Sequence, residues 1–248
     1  MATPVVLVTG ALTGIGRATG LAFARKGARV VVSGRHDDAG HALVADLTGA
    51  GGEAEFVRAD VRREDDVRNL IDRAVSRFGR LDVAVNNAGT EGEPGPLTEQ
   101  TPENYAAIFD TNVLGTMLSL KHELRVMCAQ GGGSIVNLSS IVGHKALPGA
   151  PLYVASKHAV EGLTRAAAIE GAAYGVRVNA VAPGPIETGM LDRFAGSAET
   201  KAGFLASVLM KRAGTPSEIA DAIVFLASDG AAFVTGHILA IDGGMTVQ

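Results

Sequence analysis

The chain has 248 residues, 47% of them hydrophobic and 19% charged, with 32 glycines, no tryptophan and a formal net charge of −4. This is globular rather than disordered composition, long enough for one large α/β domain or two small ones, and it excludes the basic footprint that nucleic acid or an anionic membrane would need. A single cysteine, Cys128, excludes an internal disulfide; no segment approaches the ~20 apolar residues of a membrane span, and MATPVVLVTG shows no basic leader, so a soluble cytoplasmic protein is expected.

In chain order, short β-branched runs alternate with longer amphipathic stretches. VVLV (5–8) leads into TGALTGIG (9–16), where Gly10, Gly14 and Gly16 follow a G-x-x-x-G-x-G spacing ahead of a helix expected over 15–27. Small residues at such a turn let the backbone approach a pyrophosphate, whose charge the helix N-terminal amides stabilise; a glycine turn without function is the plain alternative. RVVVS (29–33) precedes a helix over 38–50, and AEFVRA (54–59) precedes Asp60-Val61 and a helix over 64–78. Asp60 reads locally as an N-cap of that helix. LDVAVN (81–86) is followed by a long helical pattern over 103–129, and GSIVNLS (133–139) by another over 152–174. VRVNAVA (176–182) runs into residues 185–214, which carry no recognisable element and read as a functional loop or lid. Thr215-Pro216-Ser217-Glu218 starts a last helix over 216–228, and HILAID (237–242) closes the series.

Continuous apolar runs suit strands buried on both faces. Their repeated alternation with helices predicts an α/β fold: a doubly wound, Rossmann-like, seven-stranded parallel sheet with helices on both faces. No linker or low-complexity tract divides the chain, so residues 1–248 read as a single domain.

Within PLYVASKHAV (151–160), Tyr153 and Lys157 stand four apart. A surface helix that happens to carry both is the plain reading. The sharper one is that a helical turn places an ammonium beside a phenol, a poor base near pKa 10, and shifts it toward working pH. The six histidines show no ligand spacing, so no metal site is expected. Cys128, in LRVMC, reads as a buried small hydrophobe, and there is no G-x-S-x-G elbow.

TGALTGIG, NNAG (86–89), Asn112, NLSS (137–140), Tyr153-x-x-x-Lys157 and Pro183-Gly184 occur in this order. With them the chain resembles the short-chain dehydrogenase/reductases over essentially its whole length. The resemblance implies an NAD(P)-dependent oxidoreductase that moves a hydride between a nicotinamide cofactor and a secondary alcohol or ketone, with Tyr153 as acid/base. It implies that Lys157 also binds the nicotinamide ribose hydroxyls. Ser140, thirteen residues before the tyrosine, would hold the substrate oxygen, and Asn112 would hold a water of a proton relay. Ser139 is then a strand-end hydroxyl satisfied by backbone. The implied cofactor contacts are Gly10, Thr13, Gly14, Ile15 and Gly16 in the loop, Asp60 and Val61 at the adenine, and Asn87, Ala88 and Gly89 along the middle. Pro183, Gly184, Ile186 and Thr188 would hold the nicotinamide carboxamide, and Asn86 reads as a sheet-stabilising residue.

In VVVSGRHDD (30–38) the position at which an acidic residue would accept the 2′-hydroxyl of NAD is Gly34, and Arg35 follows it, suited to a 2′-phosphate. NADP(H) is therefore the expected cofactor. Asp37 and Asp38 read as the first turn of the next helix, but leave NAD(H) open. The substrate wall is expected from Val142, His144, Leu147, Pro148 and an apolar lid within 189–212 bearing Met190, Leu191, Phe194, Phe204 and Leu205. A small-molecule substrate and a homotetramer follow from the resemblance. A 3-oxoacyl-carrier-protein reductase is the alternative within the enzyme class. Outside it stands a non-catalytic dinucleotide sensor, disfavoured because all four catalytic positions are filled.

Overall fold

The computed structural model describes residues 3–247. Its first strand, β1 (Val5–Val8), is buried along its whole length and sends alternate side chains into two cores, Val5 and Leu7 into one, Val6 and Val8 into the other. The remaining strands are β2 (Arg29–Gly34), β3 (Glu53–Arg58), β4 (Val83–Asn86), β5 (Gly133–Leu138), β6 (Val176–Pro183) and β7 (Ile238–Ile241). All pair in parallel, in the order β3-β2-β1-β4-β5-β6-β7. The order reverses direction between β1 and β4, which opens a crevice beyond the carboxyl ends of the strands.

Helices alternate with the strands: α1 (Gly14–Ala24), α2 (Asp37–Gly49), α3 (Glu64–Phe78), α4 (Pro102–Phe109), α5 (Gly115–Gln130), α6 (Pro151–Ala172), α7 (Gly189–Ala195), α8 (Ala198–Ala206) and α9 (Pro216–Ala227). One core joins the sheet to α3, α5 and α6 through residues such as Leu70, Ile71, Leu118, Met127 and Ala167. The other joins it to α1, α2 and α9 through Phe23, Leu43, Leu47, Ile219 and Leu226. The Thr215–Glu218 start of α9 is a reciprocal capping box. Cys128 is half-buried against the first core. No helix among the described residues is long and apolar enough to cross a membrane.

Three local expectations are corrected. The pattern over 103–129 is not one helix: a π-helical turn, Asp110–Leu114, separates α4 from α5. Residues 185–214 hold two short helices, each started by a hydroxyl cap, Thr188 accepting from the Leu191 N–H and Ser197 from the Thr200 N–H. Asp60 does not cap α3. Arg63 occupies that position without a side-chain cap, and Asp66 reaches back to accept the Asp60 N–H at 3.0 Å.

Candidate active site

The crevice begins at the glycine loop. Gly10 and Gly14 adopt φ of 61° and 53°, which a side chain would strain. A Cβ on Gly10 would fall 2.7 Å from Ala88 Cα, and one on Gly16 would fall 2.4 Å from Asn87 Nδ2. The loop is thus pressed against the NNAG segment, and polar groups lock it there. Asn87 Nδ2 donates to the carbonyls of Thr9 (3.0 Å) and Gly10 (2.8 Å), while Thr9 Oγ1 accepts the Asn87 and Ala88 N–H groups. The amide of Asn87 is spent on the loop; the residue still lines the cavity. Thr13, exposed, stands at the N-cap of α1 without capping it, and the first turn of α1 holds no acidic residue. Uncapped helix amides beside a floor that no Cβ could enter fit a dinucleotide pyrophosphate. Thr188 Cγ2 stands 3.2 Å from where a Gly14 Cβ would lie, so the segment after β6 forms the opposite bank. Gly184 there packs so closely on Asp242 that a Cβ would sit 2.9 Å from its Cα, and Ile15, Pro183, Ile186 and Gly89 line the same cavity.

At the other end of the loop, Arg35 is exposed and forms no ion pair among the described residues. Gly34 abuts Leu12, where a Cβ would lie 2.5 Å from Cδ1. Asp37 and Asp38 occupy the first turn of α2, and Asp37 accepts from Arg58 at 3.2 Å. Asp60 is paired with Arg62, whose hydrogen bonds hold its carboxyl below the usual range against the opposing effect of burial; Arg35 lies close enough to add to the lowering. Val61 is buried and packs where Gly115 lets α5 approach.

The turn of α6 from Tyr153 to Lys157 faces the ends of β4 and β5. Tyr153 is half-buried, and it lines the same cavity as Ser140, close enough for the Ser140 hydroxyl to act on the phenol. Lys157, 5% exposed, donates from Nζ to Leu138 O at 2.7 Å and lies 5.6 Å from the centre of the Tyr153 ring. Burial pushes the Tyr153 phenol up to about 12, with the Glu91 carboxylate adding to the rise and the Ser140 hydroxyl opposing it; burial pulls Lys157 down to about 8. This corrects the expectation that Lys157 brings the phenol toward neutrality. Helical spacing puts the two side chains on one face, but the ammonium donates to a backbone carbonyl, and burial is the largest influence on each group.

Asn112 is buried in the π-helical turn. Its side chain accepts the Thr90 N–H at 2.8 Å and donates to Thr90 O and to Ser156 Oγ at 2.9 and 3.0 Å. Ser156 in turn donates to Tyr153 O at 2.8 Å, so Asn112 braces the Tyr153–Lys157 turn. Widened helical turns of this kind concentrate at functional sites. Asn86 does act across the sheet, donating to Asn137 of β5 at 2.9 Å. Ser139 is held mainly by a carboxylate rather than by backbone: its hydroxyl lies 3.1 Å from Glu161 Oε1.

Around Ser140 and Tyr153 opens a cavity of about 400 Å³, walled by Ile141, Val142, Ala146, Leu147, Met190, Leu191, Phe194, Phe204 and Met245, with Glu91, Lys145 and Ser207 as its polar members away from the cofactor side. Three expected wall residues lie elsewhere. His144 turns to Glu161 at 3.0 Å, and Pro148 and Leu205 are not in the lining.

A family model described as Enoyl-(Acyl carrier protein) reductase matches residues 10–246. The chain belongs to the short-chain dehydrogenase/reductase family. Cis-4-hydroxycyclohexanecarboxylate dehydrogenase of Sinomonas cyclohexanicum is 45% identical over 242 residues, 98% of this chain and 96% of that enzyme. The 3-oxoacyl-acyl-carrier-protein reductase of Thermotoga maritima is 38% identical, with 98% of each chain covered. A solved structure described as ElxO with NADP bound superposes at a TM-score of 0.93, with 38% identity and both chains fully covered. This short-chain dehydrogenase/reductase is an NAD(P)-dependent oxidoreductase of a secondary alcohol/ketone pair. Glu91 and Glu161 shape its site without a motif of their own in the sequence, and Thr9 and Ser156 do so from motif positions to which no role was assigned; each acts through a side-chain bond to another segment.

Proposed function

We propose that Tyr153 is the proton donor and acceptor of this reaction, in one oxidoreductase domain that prefers NADP(H) and takes an alicyclic secondary alcohol or its ketone. The observation that carries the reading is that Ser140, Tyr153 and Lys157 line one largely apolar cavity together with Ile15 of the glycine loop and Pro183, Gly184 and Thr188 of the opposite bank. A carbonyl oxygen seated between the two hydroxyls receives a hydrogen bond from each, so charge developing on it is stabilised where it forms. Gly10, Thr13, Gly14, Ile15, Gly16, Arg35, Asp60, Val61, Asn87, Ala88, Gly89, Pro183, Gly184, Ile186 and Thr188 would hold the nicotinamide cofactor, which would supply or accept the hydride when bound. Tyr153, a phenol throughout neutral pH, gives its proton to the oxygen in reduction. Lys157, whose Nζ lies 5.6 Å from the centre of the Tyr153 ring, would stabilise the phenolate that remains and would bind the nicotinamide ribose. Asn112 links Lys157 toward solvent for reprotonation.

The alicyclic class rests on the size and apolar walls of the cavity and on the name of the 45% identical relative. Assembly as a homotetramer is supported by apolar side chains exposed on or beyond α5, α6 and α9, among them Met117, Ile169, Phe225 and Phe233. The test is a panel of cyclic ketones, linear ketones and acyl-carrier thioesters, each with NADPH and with NADH. Turnover of cyclic ketones with NADPH is expected. Activity confined to acyl-carrier thioesters would assign the chain the role of its Thermotoga relative instead, and cofactor binding without consumption on every compound would make it a sensor.

A further inference from the structure

Residues 187–213 form a flap over the cavity, and its ends are pinned together at the base. Glu187 N–H donates to Gly214 O, and Gly214 N–H to Pro185 O, each at 2.9 Å. Within the flap, Lys201 Nζ donates to Asp192 Oδ1 at 2.6 Å, and the rings of Phe194 and Phe204 lie 5.9 Å apart. Helices α7 and α8 are therefore joined into one unit. Its inner face covers the reaction centre, with the Phe194 ring 6.3 Å from that of Tyr153.

From this unit Arg193 reaches across the mouth of the cavity to the loop after β4. Its Nε donates to Glu91 Oε1 at 2.7 Å and its Nη2 to Oε2 at 3.4 Å. The two partners are unequal: the Arg193 side chain is 66% exposed and that of Glu91 only 7%. Among the described residues Arg193 is the one ion-pair partner of Glu91. A fully exposed pair would contribute little. Here one member is a carboxylate set into the cavity wall, and withdrawing its counterion leaves an uncompensated buried charge, which is the costly case. The same carboxylate acts on Tyr153, where its field favours the protonated phenol.

We propose that Arg193 and Glu91 form a latch that holds the flap closed over the substrate, Arg193 being a positioning residue that acts through Glu91. The proposal rests on the reading of this cavity as the carbonyl site. With the latch made, the Glu91 carboxylate on the wall near Tyr153 is paired and the flap excludes water. A substrate enters by parting the pair and is retained when the pair re-forms. The cost of a broken latch therefore falls on KM, and salt weakens the wild-type enzyme most.

The test is hydrogen–deuterium exchange of the substrate-free wild type, Arg193→Ala and Arg193→Lys, with steady-state kinetics on the same preparations at about 0.05 M and about 1 M sodium chloride. In Arg193→Ala the amides of 189–206 should exchange about tenfold faster and KM should rise about tenfold, with kcat changed by less than about threefold. Arg193→Lys, which keeps the charge but loses the fork, should fall between. Wild-type KM should rise with salt and that of Arg193→Ala should not. Flap exchange equal within about twofold in wild type and Arg193→Ala overturns the latch whatever the activity. Faster flap exchange in Arg193→Ala from a protein whose wild type reduces no carbonyl supports the latch and overturns the carbonyl reading.

Discussion

Glu161 accepts the Ser139 hydroxyl at 3.1 Å, and through it the carboxylate of α6 holds the residue next to Ser140. The same oxygen lies 3.0 Å from His144 Nδ1, and Arg165 donates to the other oxygen at 3.1 Å. Ser139 and His144 bracket Ser140 and the short turn Ile141–Gly143 that it caps. Tyr153, Lys157, Glu161 and Arg165 stand four apart, so one stripe of α6 carries the proposed acid/base, the lysine beside it and the clamp on the segment around Ser140.

Glu161→Ala should therefore lower kcat by about 10- to 100-fold, equivalent to roughly 1.4–2.7 kcal/mol of barrier, while the dissociation constant for NADP(H) stays within about threefold of wild type. Glu161→Gln, which keeps the acceptor for Ser139, should recover most of the activity. Steady-state kinetics with cofactor-fluorescence titration check this. Gly143→Ala should reproduce the loss, because the added Cβ would meet Glu161 Oε1 at 2.3 Å and Ser139 Oγ at 2.5 Å.

Glu123 sits fully buried beneath the sheet, with Asn86 donating to Oε2 at 2.9 Å and no partner for Oε1 among the described residues. Burial pushes its carboxyl up to about 7, against the pull of the Asn86 bond. An acid whose folded pKa is raised contributes stability that is fully present below its unfolded value near 4.5 and is lost as pH rises through about 7. Glu123→Gln has no such loss. Its unfolding free energy, measured by denaturant titration, should match wild type most closely near pH 4.5 and exceed it increasingly up to pH 8, by at most roughly 3 kcal/mol. A gap independent of pH would contradict this assignment.

Cofactor choice should depend on Arg35. Arg35→Ala is expected to raise the KM for NADP(H) by an amount worth roughly 1.5–3 kcal/mol, the range of a hydrogen bond to a charged group, with NAD(H) little changed. The engagement of Asp37 by Arg58 removes one acidic rival from the ribose. Higher catalytic efficiency of the wild type with NAD(H) would contradict the prediction and direct attention to Asp38.

The sheet was legible because its central strands are buried on both faces, which leaves apolar runs such as VVLV and the VVV of β2 without polar alternation. The stripe on α6 was legible because i,i+4 geometry is local. What stayed hidden depends on partners distant in the chain. The π-helical turn has no composition of its own; the bonds of Asn112 to Thr90, 22 residues away, accompany it. Nothing near Glu91 announces Arg193, which lies 102 residues further on. The Tyr153 phenol was misjudged because spacing reports proximity to Lys157 but not the desolvation that governs both groups. Helices α7 and α8 did carry hydroxyl caps in the sequence, but each is too short for a hydrophobic period to emerge.

The most direct test of the account is the single-turnover rate of Tyr153→Phe with a ketone that the wild type reduces. This variant keeps the ring and removes the proton. The account predicts a loss of at least about 1,000-fold in the rate, within the range for general-acid catalysis by a positioned group, with NADP(H) binding retained within about threefold. A rate within tenfold of wild type would contradict the role assigned to Tyr153.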